Sequence, residues 1–455
     1  MIKLPIYDGG KFWIENFSDL IESERKFTAI VIQEPLKISR ESFEIFLSVK
    51  GANISHFTLH HKSELSFLPH SESKEFETAL KFLPNLEHLE LSWYNIELSE
   101  KVTMNKLKSL IVCKSDLLKF IEAPKLTKLE IIDNFAYSAN QNTVAEYLMK
   151  LKNLQKLSLD EGIRFYVCNE IEFPFKLKDL KTFGNPLCQL VQDKPWAANF
   201  MMFLRHQRKY LENLQLPRNL PSIFIHEIFT TFENIKWLHL DPHSLPNDAH
   251  FFLHLKPMEN VWFLKLDHGF GHHGIAEAFH ALFPMLKRFE LGNDRSKSTN
   301  WLRKYYFILT KYHPILEHLN FPRFTFDRDT CDFYLFKKLK SLEIMEICCF
   351  GLELIMRYRN LEKLSIESEN LIYDFKDVVN FGHLMELQNI KSLKVQGPFF
   401  LLKKFYDVIK SDYKNLMTVT FETFDPIISI TIEFPDHRKY FNSNIGDAFF
   451  EKIRF

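Results

Sequence analysis

One spacing of apolar residues recurs along most of the chain: apolar, two variable, apolar, one variable, apolar. About sixteen copies occur at a mean spacing of about 26 residues, with intervals of about 19 to about 34. Clear copies are Leu86/Leu89/Leu91, Leu154/Leu157/Leu159, Ile235/Leu238/Leu240 and Leu361/Leu364/Ile366. The alternating end of each copy has the period of a β-strand. The chain therefore reads as an array of repeated strands.

Segments with the period of an amphipathic helix separate these strands. Examples are 39–48, 73–83, 143–151 and 374–387, and several begin with a Ser, Thr or Asp that can cap a helix. A unit of strand, turn, helix and return cannot bury its own apolar face, so neighbouring units must stack. We therefore expect an α/β solenoid shaped like a horseshoe, with a parallel sheet on the concave face and helices on the convex face.

The second apolar position of each copy should point into the core. The sequence predicts full burial of these residues: Leu89, Leu157, Leu238, Leu264, Leu319, Leu342, Leu364 and Leu393. A last strand is expected within 427–434, where the chain reads IISITIEF. We expect an N-terminal cap over 1–26, repeats over 27–426 and a C-terminal cap over 427–455.

These repeats resemble the leucine-rich-repeat family from about Phe27 to about Phe421. The family's Asn or Cys three residues after each L-x-L is present at Asn134, but other residues stand at Tyr94, Gly162 and Ile347. Long helices and a sparse Asn series look like the repeats of F-box/leucine-rich-repeat proteins. That resemblance implies a substrate receptor of a ubiquitin ligase, with no catalytic residues and no cofactor.

The F-box itself is expected to be absent. The resemblance implies about forty helical residues that open with Leu-Pro and carry a Val-Cys-Lys/Arg-x-Trp phrase. Leu4-Pro5 and Trp13 are present but stand too close together, and 17–27 looks like the segment that follows an F-box. Either the F-box was lost or it lies upstream of Met1.

The composition of the chain limits the classes of partner that it can be expected to bind. Hydrophobic residues make up 46% of the chain, and Lys plus Arg (58) balance Asp plus Glu (58), which leaves no general attraction to nucleic acid or to anionic membranes. The N-terminus lacks the apolar core of a signal peptide, and no apolar run is long enough for a membrane span. We expect a cytoplasmic protein, with the nucleus as an alternative, that binds another protein.

One motif suggests a different function. Gly269, Gly271 and Gly274 form G-x-G-x-x-G between a predicted strand and a predicted helix, and Glu290 stands where a ribose-binding carboxylate could follow. Because the motif lies inside one repeat with ordinary repeats on both sides, a flexible turn is favoured over a dinucleotide site. A nucleotide-binding protein or enzyme centred on this loop remains the alternative.

The same loop carries candidate metal ligands. Asp267, His268, His272 and His273 offer a carboxylate and imidazoles, which zinc prefers. Adjacent histidines on one loop do not by themselves converge on a point, so a solvated loop is favoured here. We therefore predict no metal, no cofactor and no enzymatic activity.

The two residues that flank the second apolar position should face away from the core, because strand side chains alternate. We call the residues just before this position the first column and those just after it the second column. In consecutive repeats the first column holds Asn213, Trp237, Phe263, Arg288 and His318. The second column holds Gln215, His239, Lys265, Glu290 and Asn320. Elsewhere the first column is polar. The sequence thus predicts a partner-binding surface at Trp237, His239, Phe263, Lys265, Arg288, Glu290, His318 and Asn320. The alternative is that a loop or helix covers the aromatics.

Overall fold

A computed structural model describes most repeats of the chain. The described residues are 2–3, 13–14, 21–24, 26–32, 37–38, 40–60, 80–92, 98–132, 141–160, 173–183, 194–217, 220–292, 299–324, 335–347, 355, 357–367, 389–397, 402, 418–422 and 429–433. They form two compact units. Unit 1 comprises Met1–Phe224 and Thr231–Asn234, and unit 2 comprises Ile225–Thr230 and Ile235–Phe455.

Unit 1 is built on a parallel sheet whose strands pair in chain order. The sheet strands are β1 (Ile2–Lys3), β3 (Ala29–Ile32), β5 (His56–His60), β6 (His88–Ser92), β8 (Ser109–Val112), β10 (Lys128–Ile131), β11 (Lys156–Asp160), β12 (Asp179–Phe183) and β13 (Asn213–Gln215). Two short parallel pairs lie beside it, β2 (Trp13–Ile14) with β4 (Lys37–Ile38) and β7 (Val102–Thr103) with β9 (Ile121–Glu122).

Unit 2 repeats the arrangement. Its strands are β14 (Trp237–Leu240), β15 (Phe263–Leu266), β16 (Arg288–Leu291), β17 (His318–Phe324), β18 (Ser341–Ile347), β19 (Lys363–Glu367), β20 (Ser392–Gln396), β21 (Thr418–Glu422) and β22 (Ser429–Glu433). All pair in parallel except β22, which pairs antiparallel with β21. The last strand expected within 427–434 is therefore confirmed.

Helices connect many of the strands. They are α1 (Arg40–Lys50), α2 (Gln141–Leu148), α3 (Lys194–Gln207), α4 (Ser222–Thr231), α5 (Ala249–Leu253), α6 (His273–His280) and α7 (Thr299–Tyr312). Three-residue to five-residue 3-10 turns lie at Gly51–Asn53, Ser115–Lys119 and Pro242–Ser244. α1 and α2 confirm two of the expected helical segments. The expected segments at 73–79 and 374–387 lie outside the described residues.

The helices pack on the leucine side of the sheet. In unit 1, the Gln207 side chain of α3 accepts a hydrogen bond from Leu177 N–H (2.9 Å) and donates one to the Phe175 carbonyl (3.3 Å). In unit 2, the Phe289 ring of β16 lies 5.5 Å from His280 of α6 and 6.3 Å from Tyr305 of α7, centroid to centroid. The opposite side of the strands is consequently left to face outward.

The repeat pattern sets the register of the sheet. In unit 1, Leu89 pairs with Leu110, and Leu110 pairs with Leu129. In unit 2, Leu238 pairs with Leu264. All eight leucines that were predicted to be core residues are at most 3% exposed, which confirms their placement. Strand, helix and parallel register together make this an α/β leucine-rich-repeat fold. The domain boundaries at 26 and 427 stay predictions.

An asparagine just before each of several repeat phrases ties neighbouring repeats together. Its side-chain amide donates to a backbone carbonyl of the preceding repeat at 2.5–3.2 Å, as seen for Asn85, Asn153, Asn234, Asn360 and Asn389. This series lies at a different repeat position from the family's Asn, which the sequence largely lacks. The side-chain link between these neighbouring repeats is therefore made from the position just before the repeat phrase.

Membrane insertion of a helix is not supported by the described part of the chain. None of its helices combines the length and apolarity that a bilayer crossing requires.

Candidate functional site

The first column of unit 2 forms one continuous surface. Trp237 pairs in register with Phe263, Phe263 with Arg288, and Arg288 with His318. The Trp237 and Phe263 rings meet edge to face at 5.7 Å, and the Arg288 guanidinium lies 4.6 Å from the centre of the Phe263 ring. Trp237 and Phe263 are half-buried, and Arg288 is exposed. The structure thus brings together the aromatic and cationic residues as the sequence predicts.

Two residues of the second column, Lys265 and Glu290, place charge beside this surface. Glu290 accepts hydrogen bonds from the Arg288 guanidinium at 2.6 and 3.0 Å, and Lys265 lies 4.0 Å from the same carboxylate. Asn320 pairs in register with Glu290. Partial burial and then the positive charge of Arg288 lower the pKa of His318 below its ordinary value. The imidazole of His318 is consequently neutral near pH 7.

His239 departs from its expected exposure. It is only 7% exposed, although it lies on the outward face. Its Nε2 lies 2.6 Å from a carboxylate oxygen of Asp267, and the Trp237 ring lies 5.8 Å away. Because these neighbours cover it, His239 supports the surface from below and does not itself face solvent. Column position predicted the direction of the side chain, but not the cover that the next repeat provides.

Sequence reasoning missed Trp262. This residue stands just before β15, its side chain is 43% exposed, and its ring centroid lies 6.0 Å from that of Phe263. Its position in the repeat phrase belongs to neither outward column, so the column argument passed over it. The signal in the sequence was the Trp-Phe pair itself. We define the front patch as Trp237, Trp262, Phe263, Arg288 and His318.

The glycine motif has a packing explanation. A Cβ at Gly269 would lie 1.8 Å from the Trp301 ring, so a side chain there would collide with α7. Nothing lies within 4 Å of a Cβ built at Gly271 or Gly274. Gly274 is the second residue of α6. Glu290, the candidate ribose ligand, contacts Arg288 and Lys265 instead. The spacing therefore reflects packing against Trp301 at one glycine and open space at the others.

The candidate metal ligands of this loop are separated by the fold. The His273 ring stacks on Trp301 at 5.8 Å, and burial lowers its pKa below the ordinary value. Asp267 contacts His239, and His272 is exposed. His268 instead lies against His243 of the preceding repeat, with ring centroids 5.2 Å apart. The four residues that are close in sequence thus do not form one site.

A buried histidine pair lies behind the sheet in unit 2. His280 Nδ1 lies 2.9 Å from His313 Nε2, and His280 Nε2 lies 2.7 Å from the Tyr305 hydroxyl. Burial lowers the pKa of His313 to about 3 and that of His280 well below its ordinary value. Both rings are therefore neutral at physiological pH. The pair is part of the core and has no access to solvent, so it cannot serve the front patch.

The sequence matches no protein-family model and no curated protein. Among solved structures, the chain is similar to the TLR13 chain of a TLR13–ssRNA13 complex, at 14% identity and a TM-score of 0.40 over 81% of this chain and 60% of that one. It is also similar to the leucine-rich-repeat-containing protein LegL7 from Legionella pneumophila, at 12% identity and a TM-score of 0.33 over 94% and 99%. A third is Toll of a Drosophila Toll–Spatzle complex, at 12% and 0.30 over 89% and 52%. The chain thus spans less than two thirds of the TLR13 and Toll chains.

Proposed function

We propose that this chain is a protein-interaction scaffold that binds a partner protein through the front patch. The observation that carries the proposal is the run Trp237, Phe263, Arg288 on three paired strands. Large aromatics contribute little to folding when they remain partly exposed, whereas Trp and Arg are frequent hot spots in protein interfaces. The surrounding polar column residues would form the rim of such an interface.

The chemistry of the patch indicates the kind of partner. The rings of Trp237, Trp262 and Phe263, with the Arg288 guanidinium over Phe263, favour an apolar or aromatic side chain with a carboxylate beside it. Lys265 and Arg288 share the single carboxylate of Glu290, which leaves one positive charge in excess among these three residues. We therefore expect the partner to present an acidic segment with at least one large apolar residue.

A substitution at the centre of the patch tests the proposal. Trp237→Ala should weaken partner binding by about 2 kcal/mol or more, roughly thirtyfold, because a hot-spot residue is removed. Lys128→Ala is the matched control, since Lys128 holds the equivalent strand position in unit 1. The measurement is quantitative affinity capture from cell extract, followed by calorimetry with each captured protein. Circular dichroism checks that both variants fold.

Two results would count against the proposal. One is a set of captured proteins that bind the wild type and Trp237→Ala equally. The other is a large loss of thermal stability in Trp237→Ala with unchanged binding, which would make Trp237 a core residue. The narrower role, a receptor of an F-box-type ubiquitin ligase or a relative without the F-box, predicts that ligase subunits are captured with the partner. If no ligase subunits were captured, the ubiquitin-ligase role would be rejected and the scaffold proposal would stand.

A further inference from the structure

Asp241, His243 and His268 converge at one edge of the unit 2 sheet. Asp241 directly follows β14, His243 lies in the 3-10 turn Pro242–Ser244, and His268 lies two residues after β15. Because β14 and β15 pair in register as far as Leu240 and Leu266, the residues that follow the two strands emerge side by side. One possible ligand atom from each of the three side chains lies within 4.8 Å of the others.

The three donors match the preference of zinc. Two imidazoles and one carboxylate are a known ligand set for Zn²⁺, with metal–ligand distances of about 2.0–2.2 Å. Tetrahedral geometry at those lengths puts ligand atoms about 3.4 Å apart. A spread of up to 4.8 Å therefore needs only a small closure. His243 is exposed and free to make that movement by a change of rotamer.

The surroundings favour a cation as well. Asp241 is buried, and its Oδ1 accepts a hydrogen bond from His243 N–H at 2.9 Å, which fixes the carboxylate at the start of the turn. Asp267, the residue before His268, lies outside this group and holds His239 at 2.6 Å. The buried carboxylate of Asp241 is the charged donor with which a bound dication would interact.

A ring nitrogen of His268 gives independent support. Its Nδ1 is buried and has no hydrogen-bond partner among the described residues. Buried polar atoms in proteins nearly always have a partner, and leaving one unsatisfied costs stability. Bound metal would give the His268 ring a strong interaction of a kind that the described residues do not supply.

We propose that Asp241, His243 and His268 bind a zinc-class divalent metal ion, with a fourth position left for solvent or for a donor from another molecule. The assignment is independent of the front patch, because none of the three ligands belongs to it. It also differs from the set suggested by the sequence, in which His268 was grouped with Asp267, His272 and His273. The ligands come from two consecutive repeats.

The test is metal binding by the full chain, freed of any purification tag and stripped with a chelator. Titration calorimetry with Zn²⁺ should show one high-affinity equivalent. The Co²⁺ complex should show visible ligand-field bands without the intense thiolate charge-transfer bands that cysteine ligands produce. His243→Ala, His268→Ala and Asp241→Asn should each lower Zn²⁺ affinity at least tenfold. Asn keeps the capping oxygen at 241 but removes the charge and replaces the second oxygen with an amide nitrogen.

His272→Ala is the matched control, because His272 is an exposed histidine of the same loop outside the proposed ligand set. Its Zn²⁺ affinity should equal that of the wild type. If His268→Ala fails to fold by circular dichroism, His243→Ala decides, since its side chain is exposed. Absence of Zn²⁺ binding by the wild type would overturn the assignment. So would thiolate bands in the Co²⁺ spectrum, or unchanged affinity in both His243→Ala and Asp241→Asn.

Discussion

In unit 1, the outward first column holds His88, Ser109, Lys128 and Lys156, whereas the first three strands of unit 2 hold Trp237, Phe263 and Arg288 there, and its later strands return to polar residues such as Ser341 and Lys363. The leucines behind both columns are equally buried. Lys128 of unit 1 pairs with Glu130 of its own strand at 3.3 Å, as Arg288 of unit 2 does with Glu290 at 2.6 Å. In unit 2 the outward rings contact one another and an Arg. The same kind of leucine core thus lies behind a polar surface in unit 1 and an aromatic surface in unit 2. The chemistry of the outward surface is therefore not dictated by folding.

The largest expected effect tests whether the cores are equivalent. Leu129→Ala in unit 1 and Leu264→Ala in unit 2 remove side chains with 0% exposure. Each should lower the free energy of unfolding by about 2–5 kcal/mol. Since repeats contact mainly their neighbours, hydrogen exchange should show lost protection only near the altered repeat. A uniform loss over both units would contradict the equivalence of two locally stabilised cores.

Acid should lower the stability of unit 2 more than that of unit 1. The pKa of His313 is lowered to about 3 and that of His280 also lies well below 6.5, so the folded state binds fewer protons than the unfolded chain. Their contribution to stability is full above about pH 6.5 and is lost as the pH falls. At about pH 5.5, one unit below the ordinary histidine pKa, the pair should cost on the order of 1–3 kcal/mol of stability.

Hydrogen exchange, corrected for intrinsic rates, measures this loss at about pH 7.5 and 5.5. Unit 2 should lose protection first, because no described histidine of unit 1 is fully buried. His313→Gln does not titrate and should roughly halve the pH effect. An equal acid response in the two units would show that the histidine pair is not its cause.

A smaller effect is expected at the glycine turn of unit 2. Gly269→Ala should lower stability by about 1–3 kcal/mol, because the new methyl group would displace the Trp301 ring. Gly271→Ala is the matched control and should be nearly neutral, since its Cβ meets nothing within 4 Å. Thermal unfolding compares the two. Equal losses of stability in the two variants would show that packing against Trp301 does not explain the glycine at position 269.

The smallest effect concerns a feature that the two units share. Asn153→Ala in unit 1 and Asn360→Ala in unit 2 each remove a side-chain hydrogen bond to the preceding repeat, of 3.2 and 3.1 Å. Each should cost about 0.5–1.5 kcal/mol. Urea unfolding of the two variants checks whether the losses match. Clearly unequal losses would show that the asparagine links do not contribute equally to stability in the two units.

The sequence predicted what depends on period. Strand positions, the inward leucines and the alignment of Trp237, Phe263 and Arg288 all follow from residues at fixed offsets in the repeat. The cover over His239 did not follow, because it comes from Asp267 in the next repeat. Nor did the His280–His313 contact, which joins the last residue of α6 to the residue after α7.

The metal-ligand cluster shows the same limit. Sequence proximity grouped His268 with His272 and His273, whereas the strand register places His268 beside His243 and Asp241. The pairing of β14 with β15 decides which residues meet after the strands end, and loop lengths conceal it in the sequence. A comparison of aligned repeats, read past the last apolar position, would have been the way to find it.

The residue-for-residue register has a consequence for how this chain tolerates insertions and deletions. Strand side chains alternate, so losing one residue between Leu238 and Leu240 would reverse the outward and inward sides for the rest of that strand. Losing one residue between strands leaves the alternation intact. Insertions and deletions should therefore accumulate between the strands. Within the short strand phrases, substitutions can be tolerated, but a change of length cannot.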